Sequence, residues 1–421
     1  MRVSGVSILG PFSAAAVLFV LLLAWPWSAG SAQETLTSQE ADALAVAASG
    51  GDRSAIARLL DLGHRGDPAA QARVGWLYYK GEVVRRDFGA AFEWIAKAAK
   101  GGDADAMNAL GHLYQEGLGT AKDRSEAQKW YARAAEKGHA AAASNLGVLL
   151  LEGESSKADW PAALAALNQA AASGHATAMY NLGRLYDEGR AVPEDLDQAR
   201  RWYEGAAQKG VAGAARALGR LAETGRGRVQ DFARARELYE DARRQGDIEA
   251  SARLGQLYLN AKGVPRDAAR ALALFREAGE AGNPLGQVML GWCYQEGAGA
   301  AVDLAAAAQW YRRAAAQDYP AGENALAFMY AEGLGVEKDE RRAVALYREA
   351  ADKGYAEALF NLGIMVEDGR GTARDPGEAF RLYRAAAEKG HEGAKRILDR
   401  ASGLTRADDA FDFLKRSGIV R

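Results

Sequence analysis

The sequence predicts an all-α fold, namely a right-handed superhelical α/α solenoid of nine 36-residue helix pairs with capping helices at both ends. A glycine returns every 36 residues, an aspartate follows it 12 residues later, and apolar residues recur around both at helical spacing. A chain of 421 residues is also too long for one compact core. Its net charge of -2 gives no excess of positive charge for a nucleic acid partner.

The amino-terminal segment, residues 1–32, is predicted to be a signal peptide. It has no charge between Arg2 and Glu34, and its apolar centre runs from Val17 to Ala24. It ends in Gly30-Ser31-Ala32, small residues that suit signal peptidase. We therefore expect a periplasmic or secreted protein. The alternative is an uncleaved inner-membrane anchor with a periplasmic solenoid, because the uncharged segment is long enough to span a bilayer.

A helix pair is expected between the signal peptide and the first repeat, in residues 33–69. Apolar residues at helical spacing predict helices over Ala41–Ser49 and Arg53–Leu62. Because a solenoid exposes an apolar face at each end, this pair is interpreted as the amino-terminal cap.

The repeats themselves occupy residues 70–393, and both marker residues keep their spacing throughout. The glycines are Gly75, Gly111, Gly147, Gly183, Gly219, Gly255, Gly291 and Gly363, with Ala327 in the eighth place. The aspartates are Asp87, Asp123, Asp159, Asp195, Asp231, Asp267, Asp303, Asp339 and Asp375. This regularity predicts one two-helix unit repeated nine times.

The first helix of each repeat contains the marker glycine, and a second glycine is expected to end it. The terminating glycines are Gly81, Gly117, Gly153, Gly189, Gly225, Gly297, Gly333 and Gly369, with Ala261 as the exception. Each marker aspartate is placed to accept hydrogen bonds from the free amides that open the second helix. Pro376 directly after Asp375 supports this assignment, because proline fits the first helical position.

The second helix is expected to bury two alanines and one larger residue. The larger residues are Ile95, Tyr131, Tyr203, Tyr239, Phe275, Tyr311, Tyr347 and Tyr383. A glycine inside the first helix costs about 1 kcal/mol relative to alanine, so its recurrence suggests a close approach by a neighbouring helix. The eighth repeat must then accommodate the methyl group of Ala327 at this crossing.

The consensus of the repeats resembles the Sel1-like repeat, a relative of the tetratricopeptide repeat. Repeat two matches it at nearly every position: Leu110-Gly111, Tyr114, Gly117, Gly119, Asp123, Ala127, Trp130-Tyr131 and Ala134-Ala135. The resemblance implies a solenoid that acts as an adaptor in signalling, secretion or envelope-polysaccharide complexes. A cysteine-rich subgroup is linked to penicillin binding, but this chain has one cysteine, Cys293, and that activity is not expected.

A carboxy-terminal cap is expected in residues 394–421. A first helix without its glycine begins at Ala394–Ala401, and a last helix runs from Thr405 through Phe411 and Leu414. The alternative for the last helix is amphipathic docking onto a partner.

No pattern of a catalytic, metal or cofactor site is present, and the protein is predicted not to be an enzyme. The G-x-G pairs such as Gly117/Gly119 lack the strand and lysine of a phosphate loop. Cys293 lies at a core position. His139, His175 and His391 share one loop position and are interpreted as packing or solvated residues, since two imidazoles alone make a weak metal site.

The predicted binding surface is the concave face of the first helices. At about 100° per residue, the buried stripe lies opposite the positions three before, one after and four after the marker glycine. The candidate binding residues are Trp76, Tyr79, His112, Tyr180, Arg184, Arg216, Arg220, Trp292, Gln295, Asn324, Phe328, Phe360 and Ile364, and Gln115, Asp187 and Glu367 share these rows. Large apolar side chains on such a face suggest recognition of a partner. The alternative is that they wedge against the second helix of the preceding repeat.

The leading hypothesis is therefore an exported adaptor or scaffold that holds a protein or peptide partner, with no nucleic acid and no small-molecule cofactor. Membrane contact is expected only through an uncleaved amino-terminal segment. Carboxylates at the ends of the first helices, including Glu116, Glu152, Glu188, Glu296, Glu332 and Asp368, are either a ladder for cationic partner groups or solvated residues. The alternative function is an envelope enzyme or a glycan- or peptidoglycan-processing factor on a solenoid scaffold.

Overall fold

The computed structural model describes residues 36–152 and 159–401, which form 21 α-helices and contain no β-strand. The predicted all-α repeat fold is confirmed over this part of the chain. Within it, no helix has the length and apolar character needed to cross a membrane. The predicted signal peptide, Gly153 and the helix expected from Thr405 lie outside the described residues.

The helices group into two compact units that divide after Val211. Unit 1 contains α1 (Ser38–Ser49), α2 (Arg53–His64), α3 (Pro68–Lys80), α4 (Phe88–Lys100), α5 (Ala104–Glu116), α6 (Arg124–Glu136), α7 (Ala140–Leu151), α8 (Trp160–Ala172), α9 (Ala176–Glu188) and α10 (Leu196–Gln208). Unit 2 contains α11 (Ala212–Thr224), α12 (Phe232–Arg244), α13 (Ile248–Leu259), α14 (Ala268–Glu280), α15 (Pro284–Glu296), α16 (Leu304–Ala315), α17 (Pro320–Glu332), α18 (Glu340–Asp352), α19 (Ala356–Asp368), α20 (Pro376–Glu388) and α21 (Glu392–Ala401).

Within each unit the same packing recurs from repeat to repeat. An odd-numbered helix packs on the even-numbered helix that follows it and on the even-numbered helix of the preceding repeat. Consecutive first helices also contact one another, as α15, α17 and α19 do in unit 2. Helices α1 and α2 precede the first repeat, and Leu59 and Leu62 of α2 share a buried cluster with Val74 and Leu77 of α3.

The marker aspartates begin the second helices, as predicted. Each accepts a hydrogen bond from a backbone amide in the first turn, for example Asp123 from Glu126 and Asp339 from Arg342. The terminating glycine adopts the left-handed conformation, with φ of 72° at Gly117. Ala261 takes the same left-handed conformation, with φ of 55°. The exceptional repeat therefore has the same backbone geometry at the helix end, at the steric cost that a Cβ atom imposes on this conformation.

The marker glycines lie where two helices cross closely, which confirms the sequence prediction. A Cβ atom on Gly183 would lie 2.6 Å from the ring of Tyr203, and one on Gly111 would lie 2.7 Å from the ring of Tyr131. These distances are shorter than van der Waals contact, so a side chain here would displace a fully buried ring. Ala327 is itself completely buried. The eighth repeat therefore holds a methyl group at this position.

Candidate partner-binding faces

The first helices of neighbouring repeats lie side by side within each unit, and polar side chains link them. The amide of Asn145 donates to Asn108 over 2.9 Å in unit 1, and Asn361 donates to Asn324 over 3.0 Å in unit 2. We call the solvent-facing side of these helices the first-helix face of the unit. Its candidate residues are those three before and one after the marker glycine.

In unit 1 the predicted residues Trp76, Tyr79 and His112 form one half-buried aromatic cluster. Trp76 and Tyr79 meet edge to face with ring centroids 5.2 Å apart, and the Tyr79 hydroxyl lies 3.4 Å from His112 Nε2. Burial lowers the pKa of His112, and it raises the pKa of Tyr79. The cluster is therefore neutral near pH 7.

Tyr180 and Arg184 lie on α9 in the fourth repeat, and both are half-buried. The Tyr180 ring centroid lies 5.8 Å from that of Tyr203 on the second helix. Arg184 pairs with Glu188 at 2.9 Å, so one predicted cation is joined to one carboxylate of the helix ends. The Coulomb interaction of such a half-exposed pair is screened by water.

Two of the predicted binding residues in unit 2 are positively charged. They are Arg216 and Arg220, which are both half-buried on α11. Arg216 lies 2.9 Å from Asp247, which caps α13, and 3.0 Å from Glu249 in the first turn of α13. Arg216 therefore joins successive repeats within the unit, a contact that the sequence pattern did not reveal.

The apolar residues of unit 2 occur in repeats seven to nine. Phe328 is the most open of them, with 39% of its surface exposed, whereas Trp292 and Ile364 are half-buried. Phe360 is also half-buried and stacks on His391 with centroids 4.2 Å apart. Phe328 and Trp292 thus keep exposed surface on the first-helix face, while Phe360 also takes part in packing within the unit.

The third predicted row, four residues after the marker glycine, is only partly open. Asp187 and Glu367 are 3% and 1% exposed. They accept hydrogen bonds from the hydroxyls of Tyr203 and Tyr383, and Gln115 and Gln295 accept from Tyr131 and Tyr311 in the same way. The prediction of an open row is therefore wrong at Asp187 and Glu367, whereas Tyr79, Gln115 and Gln295 are half-buried like Trp76 and Trp292.

A comparison of the repeats explains this row. Where the second helix has Ile95, Leu167 or Phe275 instead of tyrosine, the facing residue of the first helix is Tyr79, Leu151 or Leu259. A tyrosine hydroxyl buried without a partner is costly, so a polar residue accompanies the tyrosine in every such repeat except the eighth, where Ala331 stands opposite Tyr347. The paired change is visible in the sequence, but it emerges only when the two positions are compared across repeats.

The interpretation of the three histidines as packing or solvated loop residues is also corrected. His139, His175 and His391 are N-caps of first helices, and Nδ1 of each accepts a hydrogen bond from a backbone amide. The same position is Asp67, Asp103, Asp247 or Asn283 in other repeats. Nε2 of His139 also lies 2.9 Å from Asp105, and this hydrogen bond lowers the pKa of Asp105.

The remaining chemical candidates have structural roles. Cys293 is fully buried, and burial raises the pKa of its thiol to about 11, which disfavours the reactive thiolate. In the G-x-G pairs the second glycine packs on the preceding repeat: a Cβ on Gly119 would collide with the carbonyl oxygen of Phe88. In the described part of the chain, no cluster of His, Cys, Asp or Glu is suited to hold a metal ion.

These stacked helix pairs define the class of repeat scaffolds that is typical of protein–protein interaction. The Sel1 repeat model matches nine consecutive segments from residue 68 to residue 391, so the chain belongs to the Sel1 repeat family. Sel1 and tetratricopeptide-like repeat proteins generally bind protein partners.

Two solved structures are similar to this chain. A protective antigen of uropathogenic Escherichia coli strains that displays an SLR fold is 29% identical, with a TM-score of 0.57 over 86% of each chain. A Sel1 repeat protein from Oxalobacter formigenes is 27% identical, with a TM-score of 0.51 over 58% of this chain and 96% of its own. A comparison with curated proteins finds no match.

Proposed function

We propose that this protein is an exported adaptor that binds a protein or peptide partner on its first-helix faces and serves an envelope signalling, polysaccharide or secretion complex. The observation that carries this proposal is the position of Phe328. A side chain this large and 39% exposed, beside Trp292 and Ile364 at the same helix position, is more than packing of the fold requires.

Recognition on such a face depends on a few large side chains rather than on a catalytic constellation. Aromatic residues supply contact area with little loss of side-chain entropy, and charged neighbours determine which partner is accepted. Trp76 and Tyr180 would act in this way in unit 1, and Trp292 and Phe328 in unit 2.

Capture of a partner from a bacterial envelope extract tests the binding role. We expect the joint change of Trp292 and Phe328 to alanine, or of Trp76 and Tyr180 to alanine, to reduce capture of a specific partner about tenfold or more. Trp160→Ala is the matched control, because Trp160 is 38% exposed but begins a second helix. Undiminished capture by both double variants, with unchanged circular dichroism, would refute binding on these faces.

Export is tested separately, by cell fractionation and amino-terminal sequencing. The proposal expects periplasmic or secreted protein that begins at Gln33. An intact Met1 in the membrane fraction would establish an anchor instead, and a cytoplasmic protein would exclude export.

A further inference from the structure

Three consecutive first helices of unit 2 differ in charge from the first helices that precede them in the same unit. Helices α15, α17 and α19 contain no lysine or arginine. They contain six carboxylates: Glu296, Glu323, Glu332, Glu357, Glu367 and Asp368. The earlier first helices of the same unit differ, because α11 carries Arg216 and Arg220 and α13 carries Arg253.

Three of these carboxylates are exposed at the last residue of the helix, and we call Glu296, Glu332 and Asp368 the acidic row. A carboxylate at a helix carboxyl terminus adds to the negative end of the helix dipole, so the potential here is more negative than the charges alone give. Arg370 pairs with Glu332 at 2.8 Å and offsets part of it. Glu296 accepts a hydrogen bond from the neutral amide of Gln295.

The other three carboxylates are engaged within the unit. Glu323 is buried and pairs with Lys353. Glu367 is buried under Tyr383, and Glu357 lies 3.0 Å from His391. Glu357 stays exposed near the amino terminus of α19, so the acidic row is the negative charge that a partner can approach at the carboxyl ends of these helices.

An apolar row runs beside the acidic row. Trp292, Phe328 and Ile364 each lie four residues before a member of the acidic row, and residues four apart share one side of a helix. The equivalent residues of the two preceding repeats are Arg220 and Gln256, so within unit 2 the apolar character is confined to repeats seven to nine. An apolar strip with a negative edge is complementary to an apolar segment that carries positive charge.

We infer that repeats seven to nine bind a segment of a partner protein in which apolar side chains alternate with lysine or arginine. This inference rests on the proposed adaptor function and names the chemistry of its partner. Packed helices lie about 8–10 Å apart, and a chain in the polyproline II conformation has three residues per turn and advances about 3.1 Å per residue. Apolar side chains three residues apart therefore lie on one side of such a chain and match the spacing of the row. The apolar side chains contact Trp292, Phe328 and Ile364, while the cations face the acidic row.

Synthetic peptides of defined sequence test this inference directly. The probe is a fluorescein-labelled peptide with leucine at every third position and lysine and serine between, and its control has glutamate in place of lysine. In fluorescence anisotropy with the purified full chain, the lysine peptide should bind at least about tenfold more tightly than the glutamate peptide. Added salt should weaken this binding.

Three variants separate the contributions of the two rows. We expect Phe328→Ser to weaken the lysine peptide about tenfold, and the joint change Glu296→Lys and Asp368→Lys to reverse the preference between the peptides. Val302→Ser is the matched control, since Val302 is 61% exposed in a loop of the same unit and should leave binding unchanged. Circular dichroism and urea midpoints check that each variant is folded.

Equal affinity for the two peptides, or no binding of either to the wild-type chain, would overturn the inference. So would a charge-reversed variant that keeps the original preference. The adaptor function is judged independently by the Trp76 and Tyr180 variant in unit 1, which leaves repeats seven to nine intact.

Discussion

Repeats four and eight achieve the same helix crossing with different residues. In repeat four, Gly183 lies against the ring of Tyr203, whose hydroxyl donates to Asp187 over 3.1 Å. In repeat eight, Ala327 stands at the position of the marker glycine and Ala331 at the position of the hydrogen-bond acceptor. The crossing thus tolerates an added methyl group and a missing polar partner in the same repeat.

Repeat eight departs from the common pattern at its start as well. Asp318 occupies the position before the cap with φ of 56°, where repeat four has Gly174, and Tyr319 makes no side-chain capping bond. Proteins commonly relax local sequence rules where a function constrains the residues. Asp318 falls in the repeat that carries Phe328, and the missing cap is shared with Tyr355 of the next repeat, which carries Ile364. Both departures are consistent with the proposed binding role of these first helices.

The largest expected effect comes from filling the crossing of repeat four. Gly183→Leu should lower the free energy of unfolding by about 3 kcal/mol, because the side chain must displace the buried Tyr203 ring. In Gly205→Leu, on the second helix of the same repeat, a Cβ meets only Met179 Sδ at 3.4 Å. That variant should gain up to about 1 kcal/mol from helix propensity. Equal losses in urea denaturation of the two variants would contradict the close-crossing explanation.

The hydroxyl of Tyr203 should matter where that of Tyr347 does not. Tyr203→Phe removes one hydrogen-bond donor from the buried Asp187, and we expect a loss of about 1–2 kcal/mol in the free energy of unfolding. Tyr347 faces Ala331, which offers no side-chain acceptor, so Tyr347→Phe should change the free energy of unfolding by less than about 0.5 kcal/mol. Chemical denaturation of both variants measures the difference, and a loss as large in Tyr347→Phe would show that the pairing is not the cause.

The contrast also shows what the sequence could and could not reveal. The helix pairs, the aspartate caps and the glycine crossing follow from residues that recur at one spacing, because each depends on local backbone geometry. The first-helix face was harder to predict, because the direction of a side chain depends on its partner in another helix. Asp187 illustrates this: its helical position suggests an open face, but the Tyr203 hydroxyl turns it inward.

The backbone strain at Asp318 predicts a smaller effect on stability. Exchanging aspartate and glycine at this position should have opposite signs in repeats eight and four. Asp318→Gly should raise the free energy of unfolding by about 1 kcal/mol, since glycine adopts a positive φ without steric cost. Asp318 also pairs with Lys353 at 3.4 Å, but its side chain is 91% exposed, so losing this pair reduces the gain in stability only slightly. Gly174→Asp should lower stability by a similar amount. The comparison fails if both thermal transitions shift in the same direction.

The smallest expected effect is on pH dependence. Burial, aided by the nearby His139, lowers the pKa of His175 below its ordinary value of 6.5. The unfolded chain then binds the proton more readily, so this contribution to stability is complete above pH 6.5 and declines as the pH falls through the folded pKa. Urea midpoints at pH 8 and pH 5.5 should differ less in His175→Asn, because asparagine caps a helix without titrating. An unaltered pH dependence would exclude His175 as a contributor.

The loop glycines have a consequence for how such a chain changes over generations. Gly119 packs on Phe88, Gly299 on Ala268 and Gly371 on Glu340, each in the repeat just before it. Gain or loss of one whole 36-residue segment by gene duplication or deletion would recreate the same contact between neighbouring repeats on both sides. Length is therefore an inherited variable that selection can adjust in complete steps, without the invention of a new junction.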